Sequence, residues 1–105
     1  MKALENIASK RLDDKFLYPS DTIYSGLLTS GVEQTLTIPT DAEFCIFEYT
    51  GDVYVNYDTT ASVPTSTISS GGGELNPTRR YIGETTTLHF ASNSAVTITI
   101  SFFKK

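Results

Sequence analysis

The stretch Thr85 to Phe103, TTTLHFASNSAVTITISFF, decides the fold class of this chain. After the turn-forming Ser92-Asn93-Ser94, Val96, Ile98, Ile100 and Phe102 alternate with Thr97, Thr99 and Ser101. Side chains on a strand point to opposite faces with a period of two, so this is a strand with one apolar and one hydroxyl-bearing face. Before the turn, Leu88 and Phe90 share a face that His89 does not. Two such segments flanking three turn residues read as a β-hairpin.

The same signature recurs upstream. TIYSGLLTS from Thr22 reads as a first strand, with Gly26 as a bulge. EQTLTIP alternates Leu36 and Ile38 with Thr35 and Thr37 until Pro39 stops it. AEFCIFEY and VYVNY, joined by Thr50-Gly51-Asp52, read as a second hairpin. A polar segment, DTTASVPTSTISSGGG from Asp58 to Gly73, reads as a long loop. ELNPTRRYI, broken by Pro77, belongs at a sheet edge. Ser and Thr make up about a quarter of the 105 residues, which suits solvent-facing strand positions. The expectation is an all-β domain over 21–105: an antiparallel β-sandwich or jelly-roll-like barrel of about seven short strands.

Residues 1–20 differ in character. Leu4, Ile7, Leu12 and Phe16 approximate a helical stripe in a charged context, and Pro19 ends it. The segment reads as an N-terminal arm, either a short helix on its own domain or a reach toward a neighbouring subunit. About 20 extended residues span roughly 65–70 Å, enough for the second reading.

Charge and cysteine content exclude several functions. The chain carries a net charge of −4, with the arm slightly basic and the body acidic. An acidic body repels phosphate backbones, so no nucleic-acid partner is expected. The single cysteine, Cys45, rules out an intrachain disulfide and a cysteine-based zinc site. No apolar run reaches membrane-spanning length and the N-terminus lacks the apolar core of a signal peptide, so no membrane is expected and synthesis is placed in a cytoplasm.

Chemistry-bearing residues are sparse. His89, the one imidazole, alternates out of the apolar face and has no visible catalytic partner in sequence. Cys45, between Phe44 and Ile46, reads as a small buried hydrophobe with a raised thiol pKa. No enzyme activity and no cofactor are expected. Arg79 and Arg80 point to opposite sides of their strand, so one is placed to meet a carboxylate of a partner subunit while the other is solvated, the alternative being that the pair serves solubility alone. In AEFCIFEY both faces are apolar: Phe44 and Ile46 on one, Cys45, Phe47 and Tyr49 on the other. Something must cover the second face, and Phe47, Tyr49 and Phe103 are the expected outer-face contacts. Six tyrosines, with Tyr54 and Tyr57 near Asn56, also suggest a carbohydrate platform.

The half of the chain from Val53 to Phe103 resembles small structural proteins of tailed bacteriophages. The similar features are the Val-x-Val-Asn strand at Val53, the Ser/Thr/Gly loop and the extended run with Pro77. Thr-x-Leu-His-Phe-x-Ser from Thr86 and a closing Val/Ile strand ending in Phe102-Phe103 complete them. The resemblance implies a β-sandwich on the virion that decorates or cements the capsid. It further implies a homotrimer, contact with the major capsid protein and no catalytic residues. A head–tail joining or tail component is the second expectation, and a carbohydrate-binding module of a receptor-binding apparatus the third.

Overall fold

The computed structural model describes residues 19–65 and 67–104. Eight strands lie in this span: β1 (Thr22–Leu28), β2 (Gln34–Thr37), β3 (Ala42–Tyr49), β4 (Tyr54–Tyr57), β5 (Glu74–Leu75), β6 (Arg79–Tyr81), β7 (Thr87–Ala91) and β8 (Val96–Lys104). They form two four-stranded antiparallel sheets, β1-β8-β3-β6 and β2-β7-β4-β5. The expected all-β sandwich is present, with eight strands rather than seven.

The pairing follows one rule. β1 pairs with β8, β2 with β7, β3 with β6 and β4 with β5. A long antiparallel ribbon wrapped so that successive pairs alternate between sheets gives this order, which is the jelly roll. It corrects both hairpins expected from sequence. β3 and β4 lie in different sheets, as do β7 and β8. Thr50-Gly51-Asp52 and Ser92-Asn93-Ser94 are therefore arches across the sandwich. Nor is Gly26 a bulge: it pairs in regular register with Ile98.

Hydrogen bonds join the arches at that end into a chain. The Gly31 amide donates to the Ser92 carbonyl at 2.8 Å, and Ser30 Oγ to the Asn93 carbonyl at 2.9 Å. Ser92, fully buried, donates through Oγ to the Asp52 carbonyl at 2.8 Å. Asn76 Nδ2 reaches Asp52 Oδ1, and Asn76 Oδ1 accepts from the Val53 amide, both at 2.8 Å. Buried or half-buried backbone groups in an arch lack ladder partners, and these side chains supply them.

At the opposite end Asp58 performs the same task. It adopts a φ of 58°, and its carboxylate accepts from the Thr86 hydroxyl at 2.7 Å and the Thr87 amide at 2.9 Å. These bonds hold its pKa below the ordinary carboxylate value. The long loop leaves here and returns through Gly73. At Gly73 φ is 119° and a Cβ would meet the Val55 carbonyl oxygen at 2.7 Å, so only glycine fits.

The core lies between the sheets. Val96, Ile98, Ile100 and Phe102 of β8 face Leu88 and Phe90 of β7 and Val55 of β4, all buried. The apolar face read from the final strand is thus the inner one. Phe47 meets Phe90 across the core, with ring centroids 6.5 Å apart at 71°, an edge-to-face geometry that aromatic pairs favour.

Candidate interaction surface

Register sorts the two faces of the first sheet. Opposed residues share a face, and β8 fixes which face is inner. Cys45 pairs with Phe102 and Phe47 with Ile100, so both point into the core. Phe47 is 2% exposed and stacks on Tyr49 at 6.0 Å. Tyr49 is half-buried, and its hydroxyl donates to the Pro77 carbonyl at 2.7 Å. Burial pushes the Tyr49 pKa up. Phe47 and Tyr49 are therefore core residues, which overturns their assignment as outer contacts. The apolar outer residues of β3 are Phe44 and Ile46. Alternation could not decide between two apolar faces; the neighbour strand does.

The outer face carries an aromatic row. Phe44 pairs with Phe103 on one side and Tyr81 on the other. The Phe44 and Tyr81 rings meet at 5.5 Å and 73°. Phe103 belongs to this face by alternation but is 7% exposed, so it is not an open contact residue. Tyr81 is 62% exposed. The next row runs Ile23, Ser101, Ile46 and Arg79, and beyond Ser25 and Thr99 lie Leu27 and Thr97. Ile23 and Leu27 are 60% and 63% exposed. Ile23, Leu27 and Tyr81 were not singled out in the sequence. The signal was present in TIYSGLL, where Ile23 and Leu27 share parity with Ser25 and oppose Leu28.

The two arginines separate as expected. Arg79 lies on the outer face. Arg80 pairs with Cys45 and turns to the inner side, where the guanidinium bridges to Glu74 of the other sheet at 2.8 Å. Its carboxylate partner is within the chain. Glu74 also accepts from the Tyr57 hydroxyl at 2.6 Å. This cluster closes the side of the sandwich between β5 and β6. The opposite side, between β1 and β2, holds a cleft of about 140 Å³ lined by Tyr24, Gln34, Leu36 and Phe90 among others.

The remaining candidates do not converge. Leu4, Ile7, Leu12 and Phe16 lie outside the described residues. Tyr54 pairs with Ala91 and Tyr57 with Leu88, so the two rings occupy opposite faces and build no common platform. His89 faces outward on the second sheet, its Nδ1 buried and 3.3 Å from Glu33 Oε2, without hydrogen-bond alignment. Glu33 is committed elsewhere: it accepts from the Ala61 amide at 2.6 Å and anchors the long loop. Among the described residues, no group of three or more His, Cys, Asp or Glu side chains is placed to hold a metal ion. Nor does any described helix have the length and apolarity to cross a membrane.

Comparison with protein families, with known proteins and with solved structures finds no match to this chain.

Proposed function

We propose that this chain is a non-enzymatic structural protein of a tailed-phage virion, a capsid decoration or cement subunit that works through contacts with other chains. The observation that carries the reading is the outer face of the first sheet, where Ile23, Leu27 and Tyr81 present large apolar groups to solvent. Apolar groups gathered on one face mark interaction surfaces more often than scattered ones do. The Val53–Phe103 resemblance supplies the virion. The jelly roll is compatible with it, since capsid proteins use this architecture, as do lectins and cupins, so the fold narrows nothing by itself.

On this reading the protein acts in the virion after synthesis in the host cytoplasm. Its partners are the major capsid protein and further copies of itself, a homotrimer being the assembly the resemblance implies. Repetition over a symmetric shell makes weak single contacts effective. The divergence of Tyr54 and Tyr57 removes one support of the carbohydrate reading, while Asn56 stays on the Tyr54 face.

Quantitative mass spectrometry of purified particles tests the proposal. A decoration subunit is present in about hundreds of copies per particle, as shell symmetry requires. A dozen or fewer copies would instead place it at the head–tail joint, and absence from particles would refute both.

A further inference from the structure

Four strands end the two sheets, and three of them are protected against pairing with another chain. β6 carries Arg79 and Arg80 and follows Pro77. β5 has two residues, one of them Glu74. β2 has four residues and is followed closely by Pro39. Charges, prolines and shortness are the usual devices that keep sheet edges from joining. β1 has none of them. It is seven residues long, regular in register with β8, and carries no charge and no proline. Its residues 23–27 are all exposed, and among the described residues no strand pairs with its free side, where the Gln34 side chain donates to the Leu27 carbonyl at 3.0 Å and must let go for a second strand to bond there.

We infer that β1 pairs antiparallel with β1 of a second copy about a two-fold axis at Ser25, joining two sheets into one of eight strands. The register follows from the strand itself. Ser25 is its midpoint, so this alignment engages all seven residues. Ile23 then lies opposite Leu27 of the copy on the outer face, and the reciprocal pair doubles the contact. Tyr24 lies opposite Gly26 of the copy. A Cβ built at Gly26 meets nothing within 4 Å, so the glycine leaves room for the ring. Such an isologous pairing brings no like charges together, which matters for a chain of net charge −4. The contact area is at the small end for protein interfaces, below roughly 1,200 Å², so association is concentration-dependent. The pairing deepens the assembly reading and rests on it for its biological purpose, but it makes a dimer where the resemblance implies a trimer.

Sedimentation equilibrium of the full chain over a concentration series, together with cysteine cross-linking, tests this. The average mass rises from monomer toward dimer with concentration. The Ile23→Lys/Leu27→Lys variant, with its four lysines opposed across the axis and an unchanged circular dichroism spectrum, stays monomeric. Ser25→Cys forms a disulfide dimer under mild oxidation, because the two positions are directly opposed. Leu27→Cys does not, because its copies lie about four residues, or roughly 14 Å, apart along the strand, beyond disulfide reach. Buried Cys45 does not compete. A monomer at every concentration, a trimer, or equal cross-linking at positions 25 and 27 overturns the inference. A chain that stays monomeric yet binds shells sinks the strand pairing and spares the decoration reading; a dimer that ignores shells does the reverse.

Discussion

Arg80 crosses from one sheet to the other to meet Glu74, with Nη2 2.8 Å from Oε2 and Nε 3.0 Å from Oε1. This two-pronged contact fastens β6 to β5 at one side of the sandwich. Both side chains are about 40–45% exposed, so the pair contributes at most about 1 kcal/mol. The hydrogen bonds from Arg80, and that from Tyr57, hold the Glu74 pKa below its ordinary value of 4.5. A depressed carboxylate stabilises the fold fully above the unfolded-state value and loses that contribution as pH falls through the folded value. Glu74→Gln should therefore lower the melting temperature slightly at neutral pH and flatten its decline in acid. Thermal melts across the acid range check this; an unchanged acid limb would contradict it.

The orientation of β3 gives a sharper prediction. Phe47→Ala empties a fully enclosed site against Phe90 and should cost about 3–5 kcal/mol. Phe44→Ala, on the half-buried outer face, should cost clearly less. Urea unfolding of the two variants decides the matter, and a reversed order would mean that the faces are exchanged.

That orientation is also where sequence reading reached its limit. The strands were legible because Val96 to Phe102 and Leu36 to Ile38 alternate cleanly. Their partners were not. Thr50-Gly51-Asp52 has the composition of a hairpin turn, yet the chain passes to the other sheet there, held by bonds from Ser92 and Asn76 that are distant in sequence. Phe47 and Tyr49 were misplaced for the same reason: a strand apolar on both faces reveals its inner side only through the register with its neighbour. Arg80 was legible in its parity but not in its partner, which sits six residues away on a strand of the opposite sheet.

Cys45 is enclosed in the core, and burial pushes its thiol from 9.0 up to about 12. The native protein should react negligibly with a thiol-modifying disulfide at mildly alkaline pH and react fully once unfolded. The raised value also predicts a loss of stability from about pH 9 upward, since the unfolded thiol ionises there while the folded one stays protonated. Fast labelling under native conditions would show that the core opens at this strand.

Asn76 sits at a φ of 50° with both ends of its amide engaged, on Val53 and on Asp52. Asn76→Gly removes the hydrogen bonds and keeps the backbone freedom, whereas Asn76→Ala loses both. Chemical denaturation should find the alanine variant about 2–3 kcal/mol less stable than the parent, with glycine between them. Equal stabilities for all three would show that the arch does not depend on this side chain.

The central claim is that the outer face of the first sheet is where this chain meets other proteins of the particle. The most direct measurement is cosedimentation of the purified chain with empty shells of the tailed phage to which the proposal assigns it, the parent against Tyr81→Asp. Tyr81 is largely exposed, so the substitution spares the core while placing a charge in the aromatic row. The account predicts that the parent pellets with the shells and that the variant, folded as judged by its melting curve, loses at least about tenfold in affinity. A parent that stays in the supernatant, or a variant that binds as tightly as the parent, would contradict it.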